Sequence, residues 1–257
     1  MGLWIPSGLS SSEEPPTPPL PDIVTWTSGT DEQIIAMLEA HYQGILDIHD
    51  YWSVGDARNI TLSAMSAAYN EQAQTQQSFD FVLTHAGGKY LADGVTECAF
   101  QVDQRYCFNT SNRMNATAIN KKGWGGSIMR SWCNDTYYNA IPSSIRGIFK
   151  QFINQTGTGN GSTSGVENTI DYFALRAEVE IFGSTTYSVS GEGSQIKWYE
   201  TVANRNKYVN GSLGSWWLRS PRSGNTKQFC QAAYVAGYQN SCDNANNAKG
   251  TAPFGVI

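Results

Sequence analysis

No lysine or arginine occurs in the first 57 residues, although nine acidic side chains do. The remainder holds thirteen acidic and seventeen basic side chains, so a front of net charge −9 precedes a mildly basic body of net +4. With an overall charge of −5 the chain carries no electrostatic footprint for nucleic acid. Charge is scarce throughout, at 15% of residues, and the polar surface is instead built from Asn, Ser, Thr and Gln. Long apolar runs are missing too, which excludes a helical membrane span. The N-terminus lacks the basic start and apolar core of a signal peptide, so a protein made in cytoplasm is expected. Met1-Gly2 would suit myristoylation, but Pro6 stands where that motif needs Ser or Thr.

The usual catalytic and metal-binding spacings are also missing. Only His41, His49 and His85 supply imidazoles, and no His-x-x-x-His, Cys-x-x-Cys or Gly-x-Ser-x-Gly occurs. No catalytic residue, metal ligand or cofactor is therefore expected. The five cysteines, Cys98, Cys107, Cys133, Cys230 and Cys242, are an odd number. Cys98 and Cys107 could face each other across a hairpin, and Cys230 and Cys242 bracket a polar stretch. Free thiols are the favoured reading. Seven Asn-x-Ser/Thr triplets follow from composition and, without a signal peptide, do not indicate glycosylation.

What is present is a globular body, 40% hydrophobic and 12% aromatic, large enough to bury a real core. Six of the nine prolines fall within residues 1–21, where no packed core can form and extended polyproline II is expected. Trp4, Ile5 and Leu9 precede those prolines, so residues 1–30 read as an arm that lies along a partner rather than as a spacer. Thr30 to Gln33 is a capping box, and Ile34, Ile35, Leu38 and Tyr42 recur at helical spacing. A helix and connector over 31–57 follow. Strands are expected at Arg58 to Met65, Phe79 to Thr84 and Ile170 to Leu175, with a strand or hairpin over Glu97 to Phe108. Ser127 opens a helix that Pro142 stops, and Ser143 or Ser144 caps another with Ile145, Ile148, Phe149 and Phe152 inward. Ala177 to Phe182 is a short helix closed by Gly183, and Gln195 to Tyr208 an amphipathic one. Thr156 to Gly165 is a surface loop. Trp216 to Leu218, Phe229 to Val235 and Pro253 to Ile257 read as buried strands, the last tying down the C-terminus. The mixture is α+β, not alternating βαβ.

The run Trp-Trp-Leu-Arg-Ser-Pro from Trp216 and the ending Gly-Thr-Ala-Pro-Phe-Gly-Val-Ile from Gly250 carry a family likeness. Gly123 to Asn139, Ile141 to Ser144 and Asp171 to Leu175 continue it in the same order. Over residues 45–257 the chain resembles an uncharacterised DUF6273-like family of gut bacteria and their phages. That family is similar to the C-type-lectin-like fold, in the branch of formylglycine-generating enzymes and the variable proteins of diversity-generating retroelements. The resemblance implies a C-type-lectin-like domain over 58–257, with short antiparallel strands and two to four helices. It makes Trp124, Trp132, Trp216, Trp217, Arg219, Pro253 and Phe254 scaffold residues. In the enzyme branch a pair of cysteines acts, and Cys230 and Cys242 are the candidates here. A calcium site is not expected, since Asp243 is the single carboxylate of the polar stretch.

That stretch, Gly237 to Gly250, has no periodicity and reads as a loop. Tyr234, Tyr238, Asn240, Ser241, Asp243, Asn244, Asn246 and Asn247 give it the Tyr, Asn and Ser composition of a paratope. In the variable proteins that the chain resembles, such positions are diversified. The sequence therefore points to a phage virion structural protein (receptor-binding, fibre or decoration) acting by adhesion and not as an enzyme. Its expected partners are a virion protein on the N-terminal arm, a host-surface protein or glycan, and two further copies in a homotrimer seated on the apolar face of the Asp31 helix. No nucleic acid and no membrane insertion are expected. The alternatives are a bacterial surface ligand-binding module and an enzyme of the formylglycine-generating type.

Overall fold

The computed structural model describes residues 19–69, 71–234 and 239–257. Four of the six prolines of the expected arm, Pro6, Pro15, Pro16 and Pro18, lie outside them. Helix α1 (Asp31–Tyr42) starts as its capping box dictates: Thr30 Oγ1 accepts the Gln33 N–H at 3.3 Å while Gln33 Oε1 accepts the Thr30 N–H at 3.0 Å. Its Ile34, Met37 and Leu38 are buried in the same core as Trp26 and Trp52, so the segment before the sheet is continuous with the body. Of the face expected to serve as a trimer seam, Ile34 and Leu38 are buried by the protein's own chain, whereas Ile35 and Tyr42 are half-buried.

The main sheet is antiparallel, in the order β1-β2-β3-β12-β6. It is formed by β1 (Ala57–Leu62), β2 (Gln77–Ala86), β3 (Phe100–Gln104), β6 (Phe173–Ala174) and β12 (Phe254–Val256). The C-terminal strand sits between β3 and β6, and Ile257 exchanges backbone hydrogen bonds with Phe100. Terminal apolar residues thus become core. Between β3 and β12 the chain forms α2 (Ile128–Trp132), a π-turn (Cys133–Tyr137), α3 (Tyr138–Ala140) and α4 (Ser143–Arg146). It then adds the hairpin β4 (Phe152–Gly157) with β5 (Val166–Asp171), followed by α5 (Glu178–Phe182). Ser127 caps α2 through the Arg130 N–H, and Gly183 ends α5 in the left-handed region at φ 70°. A small hairpin, β7 (Tyr208–Val209) with β8 (Ser212–Leu213), precedes a three-stranded antiparallel sheet in the order β11-β10-β9. Its strands are β9 (Trp216–Pro221), β10 (Gln228–Ala233) and β11 (Gln239–Asn244). The fold is α+β, with small antiparallel sheets and few helices.

Four expectations need correction. The segment 195–208 forms two 3-10 turns, Lys197–Glu200 and Val202–Arg205, not one helix. Asn204 Nδ2 donates to the Trp198 carbonyl at 2.7 Å and Arg205 Nε to the Tyr199 carbonyl at 2.6 Å, taking acceptors that an α-helix would use. The expected strand from Ile170 to Leu175 is divided between two sheets. Asp171 causes the break: its buried carboxylate gathers Trp124 Nε1, Arg130 Nε and Thr169 Oγ1, and the chain turns at Tyr172. The α4 helix is a single turn, and Phe152 is inward as the first residue of β4. Finally, Gln239–Asn244 is a strand, because β10 offers it a complete ladder that outweighs the poor strand propensity of Asn and Asp.

Strand β9 divides the interior in two. Side chains alternate along a strand, so Trp217 joins the large core with Phe229, whereas Trp216 and Leu218 join a second cluster with Cys230, Ala232 and Ala252. Trp217 Nε1 donates to the Asn112 carbonyl at 3.0 Å and Trp216 Nε1 to the Arg205 carbonyl at 3.1 Å. Both indoles are anchored at their polar end as well as buried.

Candidate functional site

Strand β11 lies at the edge of the Trp-backed sheet and carries most of the expected binding residues. Its register pairs Asn240 with Ala232, Ser241 with Gln231, Cys242 with Cys230 and Asp243 with Phe229. The two-residue period therefore separates the expected face: Asn240, Cys242 and Asn244 are on one side of the sheet, Ser241 and Asp243 on the other. Asn246 and Asn247 are exposed on the turn that follows, and Tyr234 is 53% exposed at the end of β10. Tyr238 lies outside the described residues.

Several of these side chains are held in place. Asn240 Nδ2 donates to the buried carboxylate of Glu178, which also takes the backbone N–H groups of Tyr187 and Ser188. Asn240 thus fastens the edge strand to α5. Asp243 forms an ion pair with Lys249 at 2.7 Å and accepts from Asn247 Nδ2 at 2.6 Å. Burial pushes its pKa up, but the Lys249 ammonium and these donors together hold it below the ordinary range. What remains outward is Tyr234 at one end and Asn246 and Asn247 at the other, with half-buried Ser241 and Asn244 between. The arrangement can present fixed hydrogen-bonding groups to a ligand.

The cysteines give one juxtaposition. Cys230 and Cys242 oppose each other across β10 and β11 with their sulfurs 3.4 Å apart, and Cys230 Sγ donates to Glu178 Oε2 at 3.8 Å. Burial, and then the neighbouring Cys242, push the Cys230 thiol well above its usual pKa, so it is a poor thiolate. Cys98 and Cys107 do not face each other. They flank a single strand and belong to different clusters, and burial pushes each thiol up to about 12. All five cysteines are free. His41 and His49 meet around Asp47, whose Oδ1 is 2.7 Å from His49 Nδ1, and His49 Nε2 contacts the Ala99 carbonyl at 3.0 Å. These contacts fasten the connector to the sheet. Among the described residues no group of three or more His, Cys, Asp or Glu could hold a metal ion.

A buried ionic network underlies both sheets, built from charges that stand far apart in the sequence. Glu180 receives Arg219 Nη1 at 2.6 Å and Lys89 Nζ at 2.8 Å, and Arg176 lies 4.0 Å away. Arg176 also grips Asp103, whose carboxylate accepts from Thr84 Oγ1 and from the Tyr199 hydroxyl. Burial alone would raise the pKa of Glu180, but Arg219, Lys89 and Arg176 hold it well below its ordinary value. Arg219 completes its donors on the carbonyls of Leu175, Gln155 and Glu192, so one guanidinium joins β9 to β4, to the end of β6 and to the loop after α5.

The comparisons with known proteins bear on this frame. Residues 98–254 match the family model described as Domain of unknown function (DUF6273). The chain belongs to this family. No curated protein and no solved structure matches the chain. The DUF6273 region contains Asp103, Arg176, Glu180, Arg219 and all of the expected binding residues. It does not contain β1, β2 or Lys89, so residues ahead of it complete both the main sheet and the buried network.

Proposed function

We propose that the protein is a non-enzymatic component of a phage virion, a receptor-binding, fibre or decoration protein with a C-type-lectin-like fold. Made in the bacterial host cytoplasm, it adheres to a protein or glycan on a host or mucosal surface. The observation that supports this reading most is the composition of β11. Its six residues, Gln239 to Asn244, include no aliphatic or aromatic side chain and none of the lysine or proline that usually guards a sheet edge. Such an edge presents polar side chains together with the free side of its ladder, which no other strand pairs among the described residues, on a support made rigid by Trp216, Trp217 and Arg219. In the variable proteins that the sequence resembles, such positions lie between fixed scaffold strands and are diversified, which suits a display surface. The acidic arm attaches to a virion protein, and a homotrimer supplies avidity to a weak single face.

Mass spectrometry of purified particles tests the reading. The intact chain is expected in particles, whereas a chain lacking residues 1–21 remains folded and soluble but is not incorporated. Absence of the intact chain from particles would refute the virion assignment and favour a bacterial surface module. A second reading, an enzyme of the formylglycine-generating type, is favoured by the 3.4 Å separation of Cys230 and Cys242. Thiol-dependent turnover of a cysteine-containing peptide, abolished by Cys230→Ser, would establish it in place of the adhesion reading.

A further inference from the structure

We infer that the cavity beside Asp103 is a second binding site, for a single six-membered ring that bears a carboxylate and hydroxyl groups, such as a uronic acid residue. The cavity measures about 160 Å³ and lies between the end of β3 and the 3-10 turns that lead to β7. A cavity of about 150 Å³ accommodates benzene, so this one seats a single six-membered ring whose carboxylate and hydroxyl groups lie at the open rim beside exposed Arg105. Its floor is set before any ligand arrives. Tyr199 and Asp103 are buried, the Tyr199 hydroxyl donates to Asp103, and Arg176 neutralises the same carboxylate. Asp103 therefore presents little net charge to repel an acid.

The rim, unlike the floor, has hydrogen-bonding capacity to spare. Arg105 is exposed, forms no ion pair among the described residues, and rests 5.5 Å from the centre of the Tyr106 ring. The half-buried carboxamide of Asn206 makes no hydrogen bond among the described residues. Asn204 uses Nδ2 on the Trp198 carbonyl and keeps Oδ1 for another donor. A guanidinium without a carboxylate partner is the side chain best shaped to receive one through paired N–H groups. Two carboxamides beside it offer donor and acceptor to vicinal hydroxyls. Trp198 and Tyr106 line the same space and supply apolar surface for the C–H face of a ring. Inorganic anions use the first of these features alone, and neutral sugars the last two. All three together select an acidic sugar ring. The site is separate from the β11 face and does not depend on that reading.

Isothermal titration of the full chain with glucuronate, glucose and benzoate tests the inference. Glucuronate is expected to bind, with glucose and benzoate each at least about tenfold weaker. Arg105→Met should weaken glucuronate by about tenfold or more with an unchanged melting temperature, and Arg105→Lys, which keeps charge but loses the fork, should fall between. Asn206→Ala should weaken glucuronate and leave benzoate unchanged. No glucuronate binding by the wild type, equal binding of glucose or of benzoate, or full affinity in both Arg105 variants would each overturn the assignment.

Discussion

Replacing Trp217 by alanine is the most informative perturbation of the frame that carries the β11 edge. The indole is wholly buried against Phe229 and the large core, and its Nε1 donates to the Asn112 carbonyl at 3.0 Å. Truncating a buried Trp costs about 3–5 kcal/mol in lost transfer energy and residual cavity. The Asn112 carbonyl keeps a second donor, the Lys249 N–H at 2.9 Å, so losing the indole N–H adds only about 1 kcal/mol and leaves no orphaned acceptor. About 5 kcal/mol in all is expected, which for a chain of this size lowers Tm by roughly 10–20 °C. Trp217→Phe retains most of the ring volume and should cost less than half as much. Chemical denaturation with a constant m-value would measure both. A loss below about 1 kcal/mol in the alanine variant, or equal losses in the two, would refute the claim that this indole fills the space beneath the sheet.

The ionic network, one buried acid and the thiol pair give further expectations. Glu180→Gln leaves Lys89, Arg176 and Arg219 without their shared carboxylate and should cost about 3–5 kcal/mol by denaturation. Because those cations hold Glu180 well below its ordinary pKa, its contribution is present above about pH 4.5 and is lost as pH falls, so the variant should lose part of the wild type's acid sensitivity. Glu71 has the opposite sign. Burial pushes it up to about 7 although both oxygens accept the Arg113 N–H, so its protonated form is favoured in the fold, and stability should fall as pH rises from about 4.5 to 7. Glu71→Gln should flatten that part of the stability-versus-pH curve, and an unchanged slope would contradict the assignment. Exposure to a small-molecule disulfide should join Cys230 to Cys242, each thiol losing one hydrogen atom while the reagent is reduced to two thiols. Peptide mapping should find that bond in the wild type and lose it in Cys242→Ser, and labelling of both thiols after treatment would contradict the register of β10 and β11.

Elements whose signal is local were legible in the sequence. The capping box at Thr30, the Ser127 cap, the glycine stop at Gly183 and the apolar C-terminus each state a boundary within a few residues, and each stands where it was expected. The failures share a different cause. Asn204, Arg205 and Asp171 redirect the backbone through side-chain hydrogen bonds to partners that only the folded chain brings near. Strand β11 is held by its ladder with β10, and nothing in the composition of six polar residues announces that pairing. For the same reason the expected binding residues were found as a group but not as two faces, and Asn240 was not recognised as a fastening to Glu178. The buried network was hardest to see. Arg219 stood out within an aromatic run, but Lys89, Asp103, Arg176 and Glu180 come from four separate segments and look like ordinary surface charges until the sheets assemble.

Adhesion of the purified chain to host cells, compared with a variant altered only on the outward part of the β11 edge, tests the central claim most directly. The variant combines Tyr234→Ala, Asn244→Ala, Asn246→Ala and Asn247→Ala, and leaves Asn240 and the tryptophans in place. Its expected binding is weaker by more than about thirtyfold, equivalent to roughly 2 kcal/mol, with an unchanged melting temperature and unchanged incorporation into particles. Adhesion equal to that of the wild type would show that this face does not carry recognition.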